Sequence, residues 1–166
     1  MIGLEEAFPK IEVIVSEVDG ILTKGDFIID ELGNVPLKTF YFKDFEAINL
    51  LKKYFKVVFL SSDNAISYNM FRRKNIPFYY DPKDKKGRLA DIMKRYSVTP
   101  EQVMFVGYSY SDLECMRMIP MSVCPEDAVT DIINASASVL PKFSGEGVFC
   151  SIYDFLRSEI KRRLNG

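Results

Sequence analysis

The apolar run Ile11-Glu12-Val13-Ile14-Val15 stops at Glu17-Val18-Asp19-Gly20-Ile21-Leu22-Thr23. This feature constrains the fold more than any other. A short, nearly continuous apolar stretch is a strand buried on both faces, and such strands belong to parallel sheets. Two acidic side chains two residues apart, followed by a glycine turn, then stand at the carboxyl edge of that sheet. Open α/β sheets bind their ligands at this edge. Two carboxylates there can hold a hard cation and handle a phosphate ester.

The rest of the chain repeats the pattern. Val57-Val58-Phe59-Leu60, Phe78-Tyr79-Tyr80, Val103-Met104-Phe105-Val106 and Met121-Ser122-Val123-Cys124 read as further short strands. Helical spacing of apolar residues predicts helices over 44–54, 67–74, 87–96, 112–118 and 129–135, and one long last helix over 147–164. Asp26 to Asp30 and Pro36 to Phe42 flank Gly33-Asn34, which predicts a β-hairpin inserted after the first strand. Strands alternating with helices call for an α/β fold, a mostly parallel sheet covered on both sides. No linker or repeat divides the chain, so residues 1–166 are expected to form a single domain.

Composition removes several classes of function. The 166 residues are 48% hydrophobic and 27% charged, a globular profile, and the net charge is −1. Such a balance gives no electrostatic reason to expect nucleic acid or an anionic membrane as partner. No apolar run reaches the ~18 residues of a membrane span. The acidic N-terminus, Met1 to Glu6, lacks the pattern of a secretory signal. Cys115, Cys124 and Cys150 match no zinc or redox spacing, and their odd number fits thiols in a reducing cytoplasm. Histidine is absent, which excludes imidazole-based hydrolases and His-ligated metals. Chemistry must run on carboxylates, lysine, hydroxyls, amides and a hard cation.

Four segments reach the carboxyl edge: Glu17 to Thr23, Ser61 to Asn64, Lys83 to Lys85, and Gly107 to Asp112. In this order they resemble the haloacid dehalogenase superfamily of phosphotransferases. The early hairpin and the absence of a cap domain are similar to one branch of it. That branch holds the 3-deoxy-manno-octulosonate 8-phosphate phosphatases and the related domain of acylneuraminate cytidylyltransferases. Val18 to Thr23, Lys83-Asp84-Lys85, Thr99 to Val103 and Ser144 to Phe149 carry the likeness, which spans about Ile11 to Leu156.

The resemblance implies a Rossmann-like three-layer sandwich and assigns residues to roles. The nucleophile position, normally Asp, is Glu17. Asp19 is the acid-base residue, Ser61 the hydroxyl on phosphate, and Lys85 the neutralising cation. Ser62 and the amides at Gly20 complete the phosphate site. Mg²⁺ would draw on Glu17, Asp19 and Asp112, but Tyr108 stands where the family places its metal-binding Asp. Two losses follow. Glu is one methylene longer than Asp, and misplacing an attacking atom by ~1 Å can cost about 100-fold. Tyr108 is neutral at physiological pH and removes a full charge from the cation shell. Weak or absent Mg²⁺ binding and impaired catalysis are expected.

The resemblance also implies a phosphorylated sugar acid as ligand, a homotetramer assembled through the hairpin, and a cytidylyltransferase as a possible partner. An active Mg²⁺-dependent phosphatase and a non-catalytic phosphate-binding module are the alternatives. Each residue also has a plainer reading. Glu17 could be the ion-pair partner of Lys85, Asp19 a turn cap, Ser61 a helix cap, Lys85 one of several exposed charges, and Tyr108 a packing residue.

Overall fold

The computed structural model describes residues 10–62, 65–81 and 83–165. The acidic N-terminus, Asp63, Asn64 and Pro82 lie outside the described residues.

Six strands form one parallel sheet in the order β3-β2-β1-β4-β5-β6. They are β1 (Val13–Ser16), β2 (Lys56–Ser61), β3 (Phe78–Tyr80), β4 (Val103–Val106), β5 (Met121–Pro125) and β6 (Ser138–Leu140). The helices are α1 (Phe42–Leu51), α2 (Ala65–Arg73), α3 (Lys85–Tyr96), α4 (Leu113–Met118), α5 (Thr130–Ala135), α6 (Val148–Phe155) and α7 (Arg157–Asn165).

Alternation along the strands sends side chains to two cores. Ile14, Val57, Phe59, Met104 and Val106 face one way and meet α1, α2, α6 and α7. Val13, Val15, Val58, Leu60 and Phe105 face the other way and meet α3, α4 and α5. Phe59 stacks on Phe71 at 4.4 Å between ring centroids and touches Phe149 at 5.4 Å. Truncating so enclosed a ring to Ala costs roughly 3–5 kcal/mol.

Several boundaries differ from the sequence reading. The first strand is Val13–Ser16 and not Ile11 to Val15, because Ser16 still pairs with Phe59 and Val106. The hairpin is reduced to a single antiparallel bridge, Ile28 to Leu37. Its turn is held instead by the Asp30 carboxylate, which accepts from the Leu32 and Asn34 amides at 3.0 and 2.8 Å. Pro36 lacks an amide for a longer ladder.

Helix α3 starts at Lys85, two residues earlier than its apolar spacing shows. Asp84 caps it by accepting from the Gly87 amide. The last helix is two helices broken at Leu156. Strand β6 is an addition to the reading from sequence.

Candidate active site

Glu17 and Asp19 follow β1, the central strand, and Ser61 ends β2 beside it. Tyr108 to Asp112 follow β4 on the other side. Lys85 enters from the first turn of α3. With Ser62, Gly25 and Phe27, residues from these segments line a cavity of ≈ 290 Å³ at the carboxyl edge. The fold therefore gathers the four segments at one crevice.

Lys85 is not an exposed charge: it is 6% exposed, between Glu17 at 5% and Asp112 at 0%. Its ammonium donates to Glu17 Oε2, to Asp112 Oδ1 at 2.6 Å and to Ser111 Oγ at 3.1 Å. An ammonium has three donors, so all three are matched. Burial alone would lower the Lys85 pKa, but the Asp112 and Glu17 charges outweigh it and raise the value.

Two carboxylates share that one cation, which leaves a surplus negative charge. Glu17 bears the cost: burial first, then Asp112, push its pKa above the ordinary carboxylate value, against the pull of Lys85. Ser61 lines the crevice beside Glu17 and draws its pKa down.

The carboxylates face inward. Glu17 Oε1 accepts from its own Val18 amide at 2.8 Å, and Oε2 meets Lys85. Asp112 Oδ2 accepts from the Tyr108 and Ser109 amides, both at 3.0 Å, which shapes the turn ahead of α4. That turn is a 3-10 segment, Tyr110–Asp112, rather than a helix opened by Ser111.

Asp19 is tied elsewhere. Oδ1 accepts from Thr23 Oγ1 at 3.0 Å, and Oδ2 meets Lys38 Nζ at 2.7 Å. Lys38 comes from the hairpin, and its side chain is 1% exposed. Sequence reasoning missed it, because nothing in a run of alternating residues marks which one folds back over 19 positions.

Tyr108 lines the same cavity as Glu17 and Asp19. Its ring lies on Gly20, and its edge and hydroxyl come within 3.4 Å of where a Cβ on Gly25 would stand. Burial, then Asp127 and Asp26, raise its pKa, so the phenol stays neutral. Ser144 is held by Asp127, which accepts from both its amide and its hydroxyl at 2.8 Å. The sequence reading names Ser144 only at the head of the glycine-rich run and does not name Asp127.

The Glu17 and Asp112 carboxylates both lie on Lys85, and the Asp19 carboxylate meets Lys38 and Thr23, which leaves its backbone carbonyl as the atom to reach a cation. Among the described residues, no three acidic, His or Cys side chains converge to hold a metal ion. Mg²⁺ takes near-octahedral oxygens, commonly one or two carboxylates with waters and phosphate. Glu17 and Asp112 are the carboxylates that would hold it, in competition with Lys85.

Comparison with known proteins agrees with the geometry. The 3-deoxy-D-manno-octulosonate 8-phosphate phosphatase KdsC of Haemophilus influenzae is 28% identical over 156 residues, covering 92% of this chain and 86% of that protein. N-acylneuraminate cytidylyltransferase A of Danio rerio is 23% identical over 141 residues, 82% of this chain but 33% of that protein. The cobalt-bound Haemophilus influenzae phosphatase superposes with a TM-score of 0.84, covering 92% of this chain and 90% of that one at 28% identity. The Moraxella catarrhalis phosphatase, solved with magnesium, phosphate and KDO, shares the fold at a TM-score of 0.86 and 18% identity, covering 95% and 92% of the two chains. Residues 15–152 match the haloacid dehalogenase-like hydrolase family, and the chain belongs to that family.

Proposed function

We propose that this chain has kept the phosphatase scaffold and lost turnover, and that it serves a binding or assembly role in sugar-acid metabolism. The observation that carries this reading is the placement of Tyr108: its ring packs on the Gly20 turn and its phenol stays neutral, where the resemblance to the family expects a carboxylate on a cation. Phosphoryl transfer depends on positioning and charge neutralisation. With Tyr108 neutral and Glu17 turned onto Lys85, the crevice supports neither an aligned nucleophile nor a strong Mg²⁺ site. Mg²⁺ binding is weak or absent in this reading, although a relative holds cobalt.

The ligand is a phosphorylated sugar acid, as the name of the Haemophilus relative suggests. It would meet Ser61, Ser62 and the Gly20 amide at the mouth. A pure phosphate-binding module is less well supported, because the three donors of Lys85 are already matched. The chain acts as one domain in the cytoplasm, a placement that agrees with its free cysteines and with the lack, among the described residues, of a helix able to cross a membrane. The hairpin exposes Ile28, Ile29 and Leu32 at 55%, 62% and 82%, which supports assembly of a homotetramer through it. Similarity to a cytidylyltransferase makes such an enzyme the candidate partner.

The competing reading is a slow Mg²⁺-dependent phosphatase, favoured by the fact that Asp19, Ser61 and Glu17 line one cavity. Phosphate release from a panel of sugar-acid phosphates with Mg²⁺ separates the two. Turnover far below ~1 s⁻¹ is expected, and a rate at or above it, ordinary for an enzyme, contradicts the proposal.

A further inference from the structure

The amino edge of the sheet, opposite the crevice, holds a second cavity of ≈ 460 Å³. Phe55, Val57 and Ile76 form its floor and are all buried. Three cations stand around it: Lys52 after α1, Lys56 at the start of β2, and Arg72 in the last turn of α2. Tyr96, the last residue of α3, forms a wall. Lys52 is held at the rim by a bond to the Asn75 carbonyl at 3.2 Å.

These cations lack acidic partners. Among the described residues, no carboxylate oxygen lies within 4.0 Å of the charged nitrogens of Lys52, Lys56 or Arg72. Glu12, which precedes the strand paired with Lys56, points its carboxylate at Arg163 instead, at 3.7 Å. The plain explanation is that basic residues complement helix C-termini. The ends of α1, α2 and α3 supply roughly half a negative charge each. Three lining cations exceed that. The remainder is a positive potential focused in a concave site.

The lining also decides between binding and chemistry. It contains no carboxylate and no thiol, and its one hydroxyl is the phenol of Tyr96. Its size falls in the range of small-molecule sites, about 300–1,000 Å³. We propose that this cavity binds a small organic phosphate with a flat or apolar body, of the nucleoside monophosphate class. The phosphate lies on Lys56 and Arg72, and the body lies over Phe55, Ile76 and Tyr96. The site is independent of the crevice and of whether the crevice retains turnover.

Calorimetric titration of the intact protein with CMP, AMP and inorganic phosphate tests this. Saturable nucleotide binding is expected, weakened at least ~10-fold by Lys56→Glu/Arg72→Glu and untouched by Lys85→Ala. Inorganic phosphate is expected to bind more weakly than the nucleotides. A fold-independent check uses amide shifts in the unmodified protein: Val57, Asn75 and Ile76 should move on adding CMP, and Val18 and Ser109 should not. Absence of saturable binding to ~5 mM overturns the proposal. So does binding that follows Lys85 rather than Lys56 and Arg72, or phosphate binding as tightly as the nucleotides.

Discussion

The ring of Tyr108 lies so close to Gly20 that a Cβ at that glycine would stand 2.0 Å from Tyr108 Cδ1. Gly20 also has φ of +79°, a left-handed conformation that a side chain strains. The turn that presents Asp19 and the ring of Tyr108 are therefore one packing unit. Gly20→Ala should destabilise the fold by roughly 2–4 kcal/mol, the sum of overpacking and backbone strain. Adding Tyr108→Ala should recover the overpacking part, so the two changes will not be additive in urea denaturation. Strict additivity would show that the ring does not pack there.

The Glu17–Lys85–Asp112 cluster makes a signed prediction. Lys85→Met leaves two buried carboxylates without their cation and should cost about 3–5 kcal/mol. Glu17→Gln instead removes the surplus charge, keeps the shape, and should leave stability at pH 7 unchanged or higher. Equal losses from both changes in denaturant melts would contradict a surplus negative charge in the cluster.

Asp44 gives a pH dependence. It lies in the first turn of α1, fully buried, and caps α6 from outside by accepting from the Cys150 amide at 3.1 Å. Its second oxygen, Oδ2, finds no partner. Burial outweighs the amides of α6 and raises its pKa to about 6. A raised carboxyl pKa means that the fold prefers the protonated form. The benefit is complete below the unfolded value of 3.8 and is lost as pH rises through about 6. Relative to Asp44→Asn, the unmodified protein should lose about 3 kcal/mol between pH 4 and pH 7. A flat difference between the two proteins across that range would refute the shift.

Assembly is tested at the hairpin. Ile28→Asp/Leu32→Asp changes only exposed residues. It should convert an oligomer to a monomer in sedimentation velocity with the melting temperature of the protomer's fold retained. An unmodified protein that sediments as a monomer at ~100 μM would remove the homotetramer.

The core strands and their edge were legible because burial on both faces leaves an apolar run that few other structures share. Strand β6 was not, because three residues at a sheet edge, only one of them buried, carry too little pattern. The break at Leu156 has no glycine or proline to announce it. The site was readable as a set of segments and unreadable as a set of contacts. Lys85 sits among Lys83, Lys86 and Arg88, and composition cannot say which of them is buried. Tyr108 was visible as a departure from the pattern the resemblance implies, but its packing on Gly20 joins distant positions and depends on the fold. Lys38 and Asp44 act across the same kind of distance, and local spacing is silent about both.

The proposed loss of turnover rests on two positions, and one comparison tests it: steady-state phosphate release from 3-deoxy-manno-octulosonate 8-phosphate with Mg²⁺, by the unmodified protein and by Glu17→Asp/Tyr108→Asp. The double variant should gain metal-dependent activity at least ~100-fold above the unmodified protein. An unmodified protein that already turns over as fast as the variant would contradict the loss.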